Sequence, residues 1–365
     1  MTLPIIHLNG SPYEQGRQHG RSLRRQIVRN RDVYFDRFWR EGGVDRDEVL
    51  RRAALYAPAI AAQNEAYDAG MRGIADGAGL PYLEVVALNV RYEILYYQYM
   101  VNQQAARDGC TAFALAPEGS ANGHLLIGQN WDWIPDVEGA LLHTVHDDGL
   151  RTLAFTEAGI FGGKIGLNTA GLGLVINGLV TTDDDWSRLS KPFHLRCYEI
   201  LRQRSLDAAA AIISGEDRAC SANYLLAQVP DRVVDVEAAP HSINRLSWQG
   251  GCLVHANHFV DPAALNIEEP RDELYRRTSC TRQERLQQLL QEEPPATIAA
   301  IQEYLRDHNT APRHICRHED KTAPIDEQYR TVTSVIIDLT ARTMAASDGP
   351  PCENDYQRVA LEEGG

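Results

Sequence analysis

Apolar positions in the first hundred residues recur at helical spacing. After Pro12, the residues Leu23, Ile27 and Val28 share one face, and Ala54 to Ala78 forms a long, alanine-rich, periodic run. This part predicts mainly helix. Beyond position 110 the pattern changes to short apolar runs punctuated by Gly, Asn and Asp, at 111–116, 124–129, 141–146 and 152–156. These predict strands, with turns at Asn122-Gly123 and Asp147-Asp148-Gly149. The runs 163–168 and 171–177 predict a hairpin through Thr169-Ala170-Gly171. Lys191 to Ser214 returns to helical periodicity, and Asn223 to Glu237 reads as two strands joined at Pro230-Asp231. Helices over 279–291 and 296–306 and strands over 331–338 and 343–346 complete the pattern. Helices flanking two groups of strands make an α+β protein. No repeat, low-complexity tract or long linker divides the chain, so one domain over 1–365 is expected, mainly helical to 109 and strand-rich from 110.

Composition removes several function classes. Fifty acidic residues against 36 Lys plus Arg give a net charge of -14, poorly suited to nucleic acid or an anionic membrane, and neither is expected as a partner. No uninterrupted apolar stretch approaches the roughly 18 residues of a membrane span. The run Met1 to His7 is too short for a signal peptide and has no basic segment before it, which makes the cytoplasm the expected location. The seven cysteines are odd in number and contain no C-x-x-C pair, a pattern of reduced thiols rather than a disulfide framework. His255-x-x-His258 has metal-like spacing but lacks a zincin glutamate and a third ligand, so no metal and no cofactor is expected.

The chemistry points to Asp108-Gly109-Cys110-Thr111, followed by Gly128-Gln129-Asn130-Trp131-Asp132-Trp133. A glycine before a cysteine lets the backbone adopt dihedrals that bring the Gly109 carbonyl onto the Cys110 thiol. A thioester and chain cleavage would follow. Cys110 would become an N-terminus whose α-amino group, with a reference pKa of about 7.7, can act as general base beside its own thiol. The competing reading is a buried structural thiol. Between two tryptophans, the Asp132 carboxylate is partly desolvated and needs a partner, for which an ammonium on Cys110 is suitable. Otherwise Asp132 accepts turn amides in a loop after Asn130.

Ordered patches extend this motif along the chain: Gly10 to Gly20, Arg72 to Ala75, Ala106 to Thr111, Gln129 to Asp132, Phe155 to Ile160, Lys164 to Gly171, His255 to Phe259, Ile315 to Arg317 and Arg330 to Thr333. On these the chain resembles the isopenicillin N acyltransferase family of self-processing N-terminal-nucleophile (Ntn) hydrolases. The resemblance implies a four-layer α/β/β/α sandwich with two antiparallel sheets, cleavage between Gly109 and Cys110, and two segments that stay associated. It implies Cys110 as nucleophile, Asp132 as the processing and catalytic aspartate, and Asn257 as an oxyanion-hole amide. Arg330 matches the family's active-site arginine, placed to pair with Asp132 or orient the scissile carbonyl, although Tyr329 stands where penicillin-forming members have Ser. Asn257 closing a turn and Arg330 lying on the surface are the competing readings. His255 and His258 are candidate proton carriers. Glu157 and Asn177 are candidates for substrate contact or support of the site, and Thr111 reads as structural because it faces away along the strand.

Three functions share these residues. The first is hydrolysis of a small-molecule amide through a Cys110 acyl-enzyme, toward which the acidic run Asp183-Asp184-Asp185 leans by favouring a cationic amine or amino-acyl portion. The second is N-acyl transfer with acyl-CoA as donor. The third is an unprocessed, non-enzymatic binding protein.

Overall fold

The structure is a computed structural model that describes residues 2–102, 109–215, 218–248, 250–270, 272–292, 295–310, 313–324 and 327–361. A short strand, β1 (Ile5–Leu8), precedes six helices: α1 (Pro12–Ser22), α2 (Arg24–Gly42), α3 (Arg46–Gln63), α4 (Glu65–Ala78), α5 (Tyr82–Asn89) and α6 (Arg91–Val101). Ser11 starts α1 through a reciprocal capping box with Glu14. The long run predicted over 54–78 is two helices, because Asn64 adopts an extended conformation and its side chain accepts from the Tyr67 N–H, capping α4. Helices α1 and α4 touch backbone to backbone. A Cβ on Gly16 would lie 2.0 Å from the Gly70 carbonyl oxygen, and one on Gly73 would lie 2.1 Å from that of Tyr13.

The strands follow as β2 (Thr111–Leu115), β3 (Leu126–Trp133), β4 (Gly139–Val145), β5 (Arg151–Glu157), β6 (Ile165–Asn168) and β7 (Leu172–Gly178). Helices α7 (Phe193–Leu201) and α8 (Leu206–Ser214) come next, separate because Ser205 caps the second. The remainder is β8 (Ala222–Gln228), β9 (Arg232–Ala238), β10 (Ile243–Leu246), β11 (Cys252–His255), α9 (Glu273–Glu292), α10 (Ile298–Leu305), β12 (Arg330–Asp338), β13 (Thr343–Ala346) and β14 (Gln357–Ala360). Of these, β1, β10, β11 and β14 carry too little alternation to be read from sequence. Helix α9 also begins several residues before the predicted start.

Two sheets result, one ordered β1-β4-β5-β6-β7-β8-β9-β10 and the other β11-β2-β3-β12-β13-β14. The expectation of two antiparallel sheets needs one correction. β1 pairs parallel with β4, Ile5 opposite Leu141, which the long helical excursion between them permits. Strand β2 shows how the layers stack. Ala112 and Ala114 join the large core toward the other sheet, whereas Phe113 and Leu115 join a second cluster with Leu286, Leu290 and Ile301 beneath α9 and α10. With α7 and α8 against the outer face of the larger sheet, the order is α/β/β/α. Among the described residues no helix is long and apolar enough to cross a membrane.

Candidate active site

Cys110 sits one residue before β2, and the register Thr111 to Asn130 brings it beside the far end of β3. Its thiol is buried, with Sγ 3.7 Å from the Asp132 carbonyl oxygen. Asp108 and its predecessors in the motif lie outside the described residues. Close approach marks the position: a Cβ at Gly109 would stand 2.8 Å from Asp132 Oδ2 and 2.9 Å from Arg317 Nη1, so one or both would have to shift to admit a side chain.

A second guanidinium holds the Gly109–Cys110 peptide by its carbonyl oxygens. Arg282, fully buried on α9, donates through Nη1 to the Gly109 carbonyl oxygen, to that of Cys110 at 2.7 Å, and to Thr111 Oγ1 at 3.0 Å. Its Nη2 donates to Asn257 Oδ1 at 3.1 Å, while Asn257 Nδ2 donates to the Gly178 carbonyl oxygen. Asn257 therefore orients the arginine, and the group on the candidate scissile carbonyl is Arg282. Thr111, read from sequence as facing away, belongs to this contact.

Asp132 lies within β3, not in a loop after Asn130, and is fully buried. Thr331 Oγ1 donates to Asp132 Oδ1 at 2.7 Å and accepts the Arg317 N–H at 2.9 Å, while the Thr331 N–H donates to the Arg317 carbonyl oxygen at 3.0 Å. Burial and the neighbouring Arg313 lower the pKa of the Arg317 guanidinium to about 10, against the attraction of Asp132. It remains a cation at neutral pH. Arg330 itself starts β12 half-buried and opposite Trp133, so the neighbouring Thr331, not Arg330, supplies the hydrogen bond to Asp132.

The other candidates separate. Asn177 Nδ2 donates to the carbonyl oxygens of Cys110 at 3.3 Å and His255 at 3.4 Å, tying β7 across to the nucleophile. Glu157 is buried in a cluster with Arg91 Nε at 2.9 Å and Lys164 Nζ at 2.5 Å. Burial favours the protonated Glu157, but Arg91 and Lys164 outweigh it and hold the carboxyl well below its usual range. Burial also pushes the Lys164 amine down to about 7, and that amine lies over the Trp131 ring at 3.2 Å. The histidines have other engagements. His255 Nε2 meets Glu237 at 3.0 Å; burial alone would lower its pKa, yet Asp235 and Glu237 raise it. His258 meets Ser279 at 2.8 Å and burial pushes it down to about 3, so it is neutral at working pH. The acidic run at 183–185 is not a charged rim. Asp184 is buried on Thr181 and Ser221, Asp185 caps a turn at Ser187, and Asp183 alone is exposed.

Sequence reasoning passed over Arg282, Arg317 and Thr331. Arg282 had a readable signal, since Tyr275, Ser279, Arg282, Leu286 and Leu290 form one buried stripe at helical spacing, and an arginine in such a stripe needs a buried partner.

Residues 119–350 match the family model described as acyl-coenzyme A:6-aminopenicillanic acid acyl-transferase, a span that begins after Cys110 and includes Asp132, Asn257, Arg282 and Arg317. The acyl-coenzyme A:6-aminopenicillanic-acid-acyltransferase 40 kDa form of Emericella nidulans is 26% identical over 362 residues, covering 96% of this chain and 94% of the relative. An uncharacterized protein of Archaeoglobus fulgidus is 24% identical over 307 residues, 71% of this chain and 50% of its own length. Among solved structures, a variant of the conjugated bile acid hydrolase of Clostridium perfringens superposes with a TM-score of 0.48 at 11% identity, over 70% of this chain and 94% of that one. The Caenorhabditis elegans N-acylethanolamine-hydrolyzing acid amidase ortholog gives 0.45 at 13% identity, over 63% and 93%. With well over half of its length matched by the family pattern, this chain belongs to the acyl-coenzyme A:6-aminopenicillanic acid acyl-transferase family.

Proposed function

We propose that this enzyme cuts itself between Gly109 and Cys110 and then works as an N-terminal-cysteine amidohydrolase on a small-molecule amide. The observation that carries the reading is Arg282, which donates to the Gly109 carbonyl oxygen beside the buried Cys110 thiol. Attack of Sγ on the Gly109 carbonyl carbon places negative charge on that oxygen, where a preorganised cation stabilises it. Collapse breaks the Gly109–Cys110 C–N bond, the thiol proton passes to the departing nitrogen, and a thioester remains. Water then hydrolyses the thioester, leaving a carboxylate on Gly109 and a free thiol and amine on Cys110.

In the processed enzyme the same atoms serve the substrate. The Cys110 amine takes the thiol proton, Sγ attacks the substrate amide, the protonated amine leaves, and water releases the acid. Arg282, anchored by Asn257, is the donor for that second oxyanion, and Asp132 with Arg317 flanks the new N-terminus. An open cleft of about 470 Å³, lined in part by Arg313, Arg317 and Tyr329, leads to Arg317 from outside. The segment to 109 and the segment from 110 stay together, because α6 and the helices before it pack into the same core as β2 and β3.

Acyl transfer is the second reading, favoured by the name of the Emericella nidulans relative. An amine intercepts the acyl-enzyme, or acyl-CoA supplies the acyl group. The net charge of -14 weighs against a polyphosphate donor, whereas the buried Asp184 removes the acidic run as an argument for a cationic substrate.

The deciding experiment is intact mass under denaturing conditions for wild type and Cys110→Ala. Two wild-type masses joining at Gly109–Cys110, with the variant whole, support the proposal; a wild type that stays whole on incubation refutes it. Processed enzyme is then given amides, and acyl-CoAs with amine acceptors. Free acid from amides marks the hydrolase, and N-acylated amine from acyl-CoA marks the transferase.

A further inference from the structure

Away from the Cys110 site, four side chains from three separate places in the sequence converge. The donor atoms of His308, Cys316, His318 and Cys352 all lie within 4.8 Å of one another. His318 Nε2 is 3.0 Å from His308 Nε2, 3.2 Å from Cys352 Sγ and 3.9 Å from Cys316 Sγ, and the two sulfurs are 3.5 Å apart. A tetrahedral zinc ion, with bonds of about 2.3 Å to sulfur and about 2.0 Å to nitrogen, sets its ligand atoms at about 3.3–3.8 Å from each other. The observed separations bracket that range. The sulfurs are too far apart for a disulfide bond, whose length is about 2.05 Å.

A second observation points the same way. His318 Nδ1 faces Glu353 Oε1 at 3.2 Å, so Nε2 is the ring nitrogen turned toward the other three donors. This is the carboxylate–histidine arrangement found behind metal ligands. Two thiolates and two imidazoles match the softness of zinc, and two thiolates neutralise its charge.

We propose that His308, Cys316, His318 and Cys352 form a structural zinc site that clamps the segment carrying Arg317 to the turn at 350–353. Zinc binding releases the two thiol protons to solvent and involves no redox change. The sequence reading expected no metal because it looked for C-x-x-C and H-x-x-H spacings, and this set comes together only through folding. Cys316 and His318 flank Arg317, whose own side chain approaches Gly109 and whose backbone is paired with Thr331. Zinc thereby fixes, on both sides, the residue that stands over the candidate cleavage site.

The test is metal analysis of the full chain, purified with thiols reduced and dialysed after zinc loading. About one zinc per chain is expected for wild type and for Cys280→Ser, a thiol outside the cluster, and a value near zero for Cys352→Ser and His318→Ala. Cys352 is exposed, so its serine variant should fold; as a check independent of any variant, cobalt(II) added to wild type should give the visible d–d and thiolate charge-transfer bands of a tetrahedral site. Chelation should lower the melting temperature of wild type and leave that of Cys352→Ser unmoved. Wild type with reduced thiols that takes up neither zinc nor cobalt, or full zinc retained in both cluster variants, would each overturn the proposal.

Discussion

Arg282 donates to the carbonyl oxygen of Gly109, and the two residues belong to a helix and a strand entry far apart in the chain. The same nitrogen reaches the Cys110 carbonyl oxygen, so one cation spans the peptide at which the chain would be cut. Removing a single oxyanion donor costs roughly 10²–10³ in rate. Arg282→Ala should slow self-processing by about that factor, followed as loss of full-length mass with time. Arg282→Lys should fall between, because an ammonium cannot meet both the carbonyls and Asn257. Circular dichroism establishes that the variants are folded, and processing of folded Arg282→Ala at the wild-type rate would remove Arg282 from the reaction.

Gly109→Ala probes the contacts made by Asp132 and Arg317. Its new methyl would collide with the ends of two side chains, Asp132 Oδ2 and Arg317 Nη1, rather than with backbone. Such ends can move, so the fold should survive with a small drop in melting temperature. Displacing them from the scissile peptide should nevertheless slow processing, on the order of 100-fold for a shift near 1 Å. A large loss of stability with processing of the surviving folded protein unchanged would contradict this assignment of Asp132 and Arg317.

Two buried histidines should weaken the fold in acid, against the buried Glu93, Asp184 and Asp235, whose carboxyls burial pushes up to about 7, 7 and 6 and which favour the fold as pH falls. His19 is buried in α1, its Nε2 accepts the Gly159 N–H at 3.1 Å, and burial pushes its pKa down to about 4. Burial likewise pushes His146 down to about 4. The unfolded chain takes up these protons from about pH 6.5 downward while the folded chain does not. Stability from these groups is thus complete above about 6.5 and is lost as pH falls toward 4. The His19 contribution is read as a difference by calorimetry at pH 7.5 and pH 4. Replacing His19 with Gln, which keeps an acceptor but cannot titrate, should leave the variant losing less melting temperature on acidification than wild type; an identical change in both would exclude His19 as a contributor.

The buried Glu157 cluster shows why part of the site escaped a linear reading. Glu157 and Lys164 stand on one strand and the loop after it, close in sequence, and both lie in patches that carried the family resemblance. Arg91 comes from a helix before the candidate cleavage site, and only the packing of that helix on the sheet shows that the carboxylate is shared. Cys110, Gly109 and Asp132 were legible because their chemistry is local: a nucleophile with its own backbone, and a carboxylate between aromatics. Arg330 is more legible than Arg317 for a similar reason. It heads a visible strand, whereas Arg317 sits in an irregular segment whose position depends on Thr331.

The sequence by itself determined the class of fold and the candidate reacting peptide, since apolar period and turn chemistry act over a few residues and the Gly-Cys pair is contiguous. Tertiary structure alone decided which cations serve that peptide, because guanidinium side chains from α9 and from 317 reach it only after both sheets and their covering helices are packed. It also decided that four donors separated by as many as 44 positions meet at one point. Short-range rules place residues along an element. The burial of charge, which is costly unless partners arrive from elsewhere in the chain, places them in a site.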